Sequence, residues 1–223
     1  MLSKIKNYLY KSKLYRLIIY LLLIDIKLNS FTIMLDPAGD AKNTGRSLPN
    51  SFERGAALQF AQTLKQQLDF QYPHVHIILT KTAGEQCEAL QVANFANNLQ
   101  VDLFLSINFY EETSIKPNIF IYYYQNQNFF STSQKLQLDF YPYHQAFMFN
   151  YEKTKLYAKH MQKSLSQTIY KHYFTCQPAL GIPFQPLVGI ISPAIGIEIG
   201  LKKNSWDPYL EPIVNSLNEI LCH

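Results

Sequence analysis

Short strand-like runs of apolar residues alternate with helical patterns along the chain from residue 31 onward. Five buried strands are predicted, at 32–35 (TIML), 75–80 (VHIILT), 103–107 (LFLSI), 119–124 (IFIYYY) and 194–198 (AIGIE). Apolar residues at spacings of three and four predict helices over 51–68, 86–99, 153–173 and from about residue 207 onward. Strands separated by helical crossovers indicate an α/β fold, a single domain whose mostly parallel, mixed sheet has about five or six strands and helices on both faces.

Two segments carry further expectations. The helix over 153–173 should bury Tyr157, Met161, Leu165 and Ile169, which recur at every fourth position. Residues 125–150 form an insert with seven aromatic residues and no sustained period. A loop this long in a compact domain is usually functional or disordered, and the aromatic content argues against disorder. The insert is therefore interpreted as a packed flap over one edge of the sheet.

Charge and cysteine content exclude several classes of protein. Six of the 20 basic residues and one of the 16 acidic residues precede Ser30, which leaves 14 basic and 15 acidic residues for 31–223. A nucleic-acid binder carries its basic excess on the folded body, so no nucleic-acid partner is expected. Three scattered cysteines give neither a disulfide framework nor a zinc-type CxxC pair.

Residues 1–30 have the layout of a leader. Lysines come first, and an apolar run of eight residues, LIIYLLLI, follows at 17–24. This order is typical of a secretory signal, although the run is shorter than the roughly 20 residues of a membrane-spanning helix and no small-x-small cleavage site follows it. The prediction is an extracytoplasmic protein, in the periplasm or cell envelope, with the leader either cleaved or kept as a membrane tether. An amphipathic helix or a gene-start artefact is the alternative.

Candidate chemistry gathers where the predicted strands end. In an open parallel sheet, ligands bind beyond the carboxyl ends of the strands. Asp40 follows the first strand, Glu53 begins the first helix, Asn108 lies just past the third strand and Glu198 ends the fifth. Each has a simpler explanation: Glu53 suits a helix N-terminus, Asn108 is a turn former, and Glu198 has Lys202 or Lys203 as a partner. Their convergence is what indicates a site.

Several sequence blocks in a fixed order resemble a known family. MLDPAG, Glu53 heading a helix, TKTAG, ALQVANFAN, VDLFLSIN, IFIYYY and PAIGIEIGLKKN together resemble zinc-dependent N-acetylmuramoyl-L-alanine amidases of the Amidase_3 type. The resemblance covers nearly all of 32–223 apart from the insert. It implies hydrolysis of the amide between N-acetylmuramic acid and the stem peptide's L-alanine. Peptidoglycan or a muropeptide is thus the implied partner, and cell-wall turnover the implied process.

The family's zinc site carries over unevenly. The resemblance implies Glu53 as a zinc ligand and Glu198 as the catalytic glutamate, but Gly39 and Asn108 stand where the family has its two histidine ligands. A catalytic zinc takes about three protein ligands, and a carboxylate with an amide oxygen is a poor match for zinc. Zinc is the cofactor that the resemblance implies, and these residues predict that it is absent or weakly bound.

A few other residues are candidate replacements for the lost imidazoles. Asp40 is adjacent to Gly39 and is one candidate, and His144 of the insert is the other, if the insert reaches the site. His74 and His76 share one face of the second strand but lie near its amino end, and His160 and His172 fall on a predicted helix. The Glu111–Glu112 pair is interpreted as a solvated loop rather than a metal site.

Two hypotheses follow. In the first, a working amidase holds a harder metal through Glu53, Asp40 and Asn108, and Glu198 is the general base for the attacking water. In the second, a catalytically inactive amidase-like protein, a pseudoenzyme with a degenerate zinc site, binds peptidoglycan or a partner without cutting it. The aromatic insert would then offer a stacking surface for sugars or for that partner.

Overall fold

The computed structural model describes residues 30–49, 51–126, 142–202 and 205–222. The predictions for the leader up to residue 29, and for residues 127–141 of the insert, lie outside these ranges. Within them, no helix is both long and apolar enough to cross a membrane.

A mixed sheet of seven strands forms the centre of the described part of the chain, and a separate two-stranded hairpin, β2–β3, precedes the first helix. The strands are β1 Thr32–Pro37, β2 Ser47–Leu48, β3 Ser51–Phe52, β4 His76–Leu79, β5 Leu103–Glu111, β6 Asn118–Tyr124, β7 Thr175–Cys176, β8 Leu180–Ile182 and β9 Ala194–Leu201. The sheet order is β4-β1-β5-β9-β6-β7, with β8 also pairing with β6. Every pairing in the sheet is parallel except that of β6 with β9.

Within the described residues, four α-helices cover the sheet, namely α1 Glu53–Gln71, α2 Ala89–Leu99, α3 Tyr151–Leu165 and α4 Asp207–Leu221. Buried residues of α1, α3 and α4 join one core with alternate strand residues such as Ile33 and Leu105. The intervening strand residues Met34 and Phe104 pack with α2 on the opposite face. This division follows from the alternation of side chains along a strand. The predicted fold class is confirmed, and the short strands β2, β3, β7 and β8 are additions to the five predicted strands.

The predicted helix over 153–173 was too long, because α3 ends at Leu165. Tyr157, Met161 and Leu165 are buried as predicted, but Ile169 is 63% exposed. A separate 3-10 turn spans Thr168–Tyr170, and Tyr170 is its buried residue, stacked on Phe174 at a ring distance of 5.9 Å. The spacing from Leu165 to Tyr170 does not fit one continuous α-helical stripe, so the chain turns between them.

Strands β5 and β9 are longer than predicted. Their parallel ladder continues from Phe104 paired with Ala194 to Glu111 paired with Leu201. Asn108 and Glu198 therefore lie inside strands, not just beyond or at a strand end. The strand pairing therefore determines on which face of the sheet each of these two side chains lies.

The described end of the insert is packed. A 3-10 helix, Tyr143–Asn150, places Phe147 against Tyr124 and Tyr151, at ring distances of 5.0 and 5.8 Å. Phe147 thereby joins the core on the α2 face.

Candidate active site

Polar side chains from neighbouring strands collect on the α2 face of the sheet. The register pairs Asp36 of β1 with Ser106 of β5, and Asn108 of β5 with Glu198 of β9. Tyr122 reaches the same face from β6, where its hydroxyl meets Glu198. Alternation along the strands thus aligns these residues in a row across the sheet.

Glu53, the first residue of α1, is 4% exposed and is held by backbone donors. Its Oε1 accepts a hydrogen bond from the Phe109 N–H at 2.9 Å, and its Oε2 accepts one from the Arg46 N–H at 3.0 Å. The preceding loop reaches this position because Gly45 has φ +72°, and a Cβ there would lie 2.8 Å from Glu53 Oε2. The carboxylate is consequently fixed by the loop and by β5.

Glu198 has a charged partner that was not predicted. One carboxylate oxygen forms an ion pair with the guanidinium of Arg46, and the other accepts a hydrogen bond from the Tyr122 hydroxyl at 3.0 Å. The expected pairing with Lys202 is wrong, because Lys202 donates to the Ile115 carbonyl instead. Lys203 lies outside the described residues.

Burial and the charge of Glu198 together shift the pKa values of Arg46 and Tyr122. Burial acts to lower the pKa of Arg46, but the hydrogen bond and charge of Glu198, with the charge of Glu53, raise it overall. Burial, followed by the charge of Glu198, raises the pKa of Tyr122. Arg46 therefore stays cationic and Tyr122 stays a hydrogen-bond donor.

Beside this cluster lies a cavity of about 350 Å³. It brings together three of the predicted residues, Asp40, Glu53 and Asn108. Its polar lining consists chiefly of Asp36, Asp40, Glu53, Lys81, Ser106 and Asn108. Glu198 is not part of this lining, although it neighbours Asn108 across the β5–β9 ladder.

Asp40 is occupied within its own loop. Its Oδ1 accepts hydrogen bonds from the backbone N–H groups of Lys42 and Asn43, at 2.8 and 2.7 Å. The Cys87 N–H lies 3.4 Å from its Oδ2. The Asn43 N–H is the largest cause of the lowered pKa of Asp40. Asp40 thus stabilises the turn that follows β1.

The loop around Gly39 leaves no space for a side chain at that position. Its φ is +74°, and a Cβ at this position would lie 2.9 Å from both Arg54 Cβ and the Asn43 carbonyl oxygen. An L-residue is strained at this φ, and the loop would also have to move. A histidine therefore does not fit at position 39 in this loop conformation.

Asn108 is oriented by its amide nitrogen. Nδ2 donates to Ser106 Oγ at 3.1 Å and to the Ile197 carbonyl oxygen at 3.3 Å. Because a carbonyl oxygen can only accept, the nitrogen rather than the oxygen faces Ile197. Asn108 Oδ1 has no hydrogen-bond donor among the residues that the structure describes.

A buried ion pair supports the cavity from the β1 side. Asp36 Oδ1 accepts hydrogen bonds from the Thr80 hydroxyl at 2.6 Å and from Lys81 Nζ at 3.0 Å. The side chains of Asp36 and Lys81 are 9% and 11% exposed. This pair, which the sequence prediction missed, joins the loop after β4 to the end of β1.

Among the residues that the structure describes, no histidine lines the cavity. His144 is in the 3-10 helix of the insert and is not among the lining residues. His76 begins β4 in register with Thr32, at the amino end of the strand as predicted. His160 lies on α3, and His172 is exposed beyond the 3-10 turn rather than on that helix.

The Glu111–Glu112 pair is divided in the structure. Glu111 is exposed, but Glu112 is partly buried and accepts hydrogen bonds from the Ser114 N–H, the Asn118 amide and the Tyr110 hydroxyl. Burial acts to raise the pKa of Glu112, yet these three donors lower it to about 2. The prediction of a solvated pair is therefore wrong for Glu112.

The donor set of the site does not fit zinc. The candidate ligands that line the cavity are carboxylates, one amide oxygen and the Cys87 thiol, and zinc prefers imidazole or thiolate. Burial raises the pKa of the Cys87 thiol, which disfavours its thiolate form. Within the described parts of the chain, no group of three or more His, Cys, Asp or Glu side chains is placed to hold a metal ion. The closed loop at Gly39 also leaves no room for a ligand side chain at that position.

The prediction also missed Arg46, Ser106 and Tyr122. Ser106 had a signal, because it interrupts the apolar run LFLSI and has the same strand parity as Asn108. Arg46 lies in a polar loop, and nothing local marks its contact with a residue 152 positions away.

Residues 33–208 match the Amidase_3 family of N-acetylmuramoyl-L-alanine amidases, and the chain belongs to that family. The family is generally zinc-dependent. The resemblance seen in the sequence blocks is thereby confirmed. It defines an amidase-family domain.

Individual relatives agree with this assignment. The N-acetylmuramoyl-L-alanine amidase CwlM of Bacillus licheniformis is 33% identical over 76 residues, which span 34% of this chain and 30% of CwlM. The catalytic domain of CwlV from Bacillus (Paenibacillus) polymyxa var. colistinus has a TM-score of 0.63 at 16% identity, covering 86% of this chain and 98% of that domain. The amidase AmiC2 of Nostoc punctiforme has a TM-score of 0.64 at 16% identity, covering 87% and 98%. At these identities the structural likeness concerns the fold.

Proposed function

We propose that this protein binds peptidoglycan through its amidase fold and does not hydrolyse it by the zinc chemistry of its family. Peptidoglycan is the substrate that the family implies. The proposal places the protein outside the cytoplasm, in the periplasm or cell envelope, where its ligand lies. The proposed ligand is the same whether the leader is cleaved or retained as a membrane tether.

The ion pair between Arg46 and Glu198 is the observation that carries the proposal. Glu198 is the position that the resemblance assigns to catalysis, and a general base must be able to take a proton from water. Both of its carboxylate oxygens already have donors, Arg46 on one and Tyr122 on the other. Each oxygen still has a second lone pair, but the two contacts fix the carboxylate against Arg46 and Tyr122 and balance its charge with a cation of this chain.

The surroundings of Glu53, the other predicted carboxylate, also support a site without zinc-dependent hydrolysis. The backbone N–H of Arg46 donates to Glu53, so a single residue engages both predicted carboxylates. A fixed cation of this chain thus stands beside the acidic residues that a divalent ion would otherwise neutralise. Arg46 serves as an internal counter-charge in this site.

The proposal is tested with purified sacculi. The full chain is incubated with sacculi in the presence of zinc, the mixture is centrifuged, and both pellet and supernatant are analysed. We expect the protein in the pellet and no stem peptides in the supernatant above a no-enzyme control. Release of stem peptides that a chelator abolishes would contradict the absence of hydrolysis. Protein that stays wholly in the supernatant would contradict binding.

A second candidate function has one observation in its favour. Glu53, Asp40 and Asn108 line the same cavity, as the hypothesis of a harder metal requires. Oxygen ligands suit Mg²⁺ or Mn²⁺ better than zinc. Release of stem peptides with Mg²⁺ or Mn²⁺, but not with zinc, would establish this remodelled amidase in place of the binding protein.

A further inference from the structure

We propose that the exposed face of α3, with the turn that follows it, binds this protein to the surface of an anionic lipid bilayer. The inference goes beyond the proposed function, because it concerns a second surface of the molecule and a second ligand. It rests on five lysines and three exposed apolar side chains that lie between residues 153 and 173.

Positive charge is concentrated in one segment of an otherwise acidic domain. Of the 14 basic and 15 acidic residues in 31–223, five lysines and a single acidic residue, Glu152, fall within 151–173. The net charge of this segment is +4, and the other 9 basic and 14 acidic residues give the remainder of 31–223 a net charge of −5. The near-neutral total therefore conceals a separation of charge within the domain.

The fold points the lysine side of α3 away from the core. Buried residues of α3 such as Tyr157 and Met161 pack toward the sheet. Lys155, Lys159 and Lys163 recur at every fourth position, which aligns them in one row along the opposite side of the helix. Lys159 and Lys163 are exposed, and Lys155 is half-buried. We define the basic face by its five lysines: Lys153, Lys155, Lys159, Lys163 and Lys171.

Most of this charge is not neutralised by the chain itself. Lys155 forms an exposed ion pair with Glu152 at 3.3 Å. Lys159, Lys163 and Lys171 form no ion pair with any acidic side chain that the structure describes. Their ammonium groups are therefore available to an anionic partner.

Exposed apolar side chains accompany the lysines. Leu156 lies on the same side of α3 and is 49% exposed, while Ile169 and Tyr173, just beyond the helix, are 63% and 53% exposed. A bilayer surface accepts both kinds of side chain, because lipid phosphates attract lysines and the boundary with the acyl chains receives apolar groups. A soluble anionic polymer would engage only the lysines. The combination favours lipid as the partner.

The basic face and the polar cavity lie on different sides of the molecule. The cavity is lined in part by Ala89 and Val92 of α2. α3 packs on the opposite face of the sheet. A bilayer in contact with α3 would therefore leave the cavity open to a ligand that approaches from the other side.

Vesicle flotation tests the role of the lysines. The full chain is mixed with vesicles of phosphatidylcholine alone or of an equal mixture with phosphatidylglycerol. We expect binding to the mixed vesicles only, weakened by added salt. Replacing Lys159, Lys163 and Lys171 together by glutamine should weaken binding roughly a hundredfold, since each lysine near an anionic surface adds to the attraction. Thermal melting verifies that the variant is folded.

The matched control removes the same charge elsewhere. The triple variant Lys42→Gln/Lys65→Gln/Lys116→Gln changes the net charge equally but leaves the basic face intact, and it should bind the mixed vesicles nearly as well as the wild type. Equal losses in the two triple variants would overturn the inference. Equal binding of the wild type to both kinds of vesicle, or binding to neither, would overturn it as well.

Lysine footprinting separates the basic face from the leader, which also contains lysines. The full chain is acetylated with a water-soluble reagent, with and without mixed vesicles, and the modified lysines are mapped by mass spectrometry. We expect the vesicles to protect Lys159, Lys163 and Lys171 but not Lys42, which is exposed in the loop after β1. Bound protein whose α3 lysines react as fast as without vesicles would assign binding to the leader and overturn the inference.

The apolar side chains distinguish a bilayer from a soluble polyanion. Ile169→Ser should weaken vesicle binding severalfold and leave the binding of polyphosphate unchanged. Ile115→Ser is the matched control, because Ile115 is 99% exposed in the loop between β5 and β6. If polyphosphate protects the α3 lysines as well as vesicles do and Ile169→Ser has no effect, the partner is a polyanion and the bilayer is overturned. Sacculi contain no phospholipid, so these outcomes are independent of the sedimentation assay.

Discussion

The guanidinium of Arg46 forms an ion pair with the carboxylate of Glu198, across a sequence separation of 152 residues. The backbone N–H of Arg46 simultaneously donates to Glu53. The loop between β1 and α1 therefore holds together the two acidic residues that the family resemblance singles out. The two carboxylates are thus held in place by contacts with Arg46 of the same chain.

Loss of the Arg46 side chain should destabilise the site modestly. We expect Arg46→Ala to lower the free energy of unfolding by about 1 kcal/mol, because the Arg46 side chain is 49% exposed and solvent screens the pair. Urea denaturation measures this change. Lys155→Ala, which removes the more exposed ion pair with Glu152, is the control and should change stability less. An equal effect of the two variants would contradict a special role for Arg46.

A side chain at position 39 should be poorly tolerated. Gly39→Ala forces a Cβ against Arg54 and Asn43 at a positive φ, so we expect a loss of about 1–2 kcal/mol in the free energy of unfolding. Gly55→Ala is the matched control. Gly55 lies in α1 with open space around its Cβ position, so that substitution should stabilise by up to about 1 kcal/mol. A stable Gly39→Ala protein would show that the loop adapts to a side chain.

The buried pair of Asp36 and Lys81 should matter more to stability than the Arg46 pair. Lys81→Met leaves the Asp36 carboxylate buried without its cation, and we expect a loss of about 3 kcal/mol. The double variant Asp36→Asn/Lys81→Met should recover part of this loss, because neither charge then remains. Denaturant unfolding of the wild type, Asp36→Asn, Lys81→Met and the double variant measures the coupling, and strictly additive effects would contradict it.

Glu112 should contribute a pH-dependent part of the stability. Its pKa is about 2 in the folded protein, below the ordinary value of 4.5, so the contribution is complete above pH 4.5 and is lost as the pH falls toward 2. The stability difference between wild type and Glu112→Gln should therefore shrink between pH 4.5 and pH 2. Chemical denaturation over this pH range measures it, and a constant difference would rule out the assigned hydrogen bonds as its cause.

Local patterns predicted the succession of strands and helices but not where each one ends. Hydrophobic periodicity located α1 and α2 to within a few residues, because the buried stripe of each helix is continuous. The extension of β5 and β9 past Asn108 and Glu198 depends on hydrogen bonds between the two strands, which no local pattern records. α3 likewise ends at Leu165 although the apolar spacing continues to Ile169, and the buried residue beyond it, Tyr170, stacks on Phe174 from a separate turn.

The candidate site shows the same division. Asp40, Glu53 and Asn108 could be expected near one another, since the carboxyl ends of neighbouring parallel strands share one edge. The partner of Glu198 could not be expected from the sequence, because the position of Arg46 depends on how its loop folds. The steric closure at Gly39 is also a property of the folded loop, set by Arg54 and Asn43.

Zinc stoichiometry is the most direct test of the central claim that this amidase-family site does not hold the metal of its family. The full chain is loaded with excess zinc, dialysed against metal-free buffer and analysed for bound metal by mass spectrometry. The account predicts well under one equivalent of zinc per chain. One tightly held equivalent, lost when Glu53 is replaced by glutamine, would contradict it.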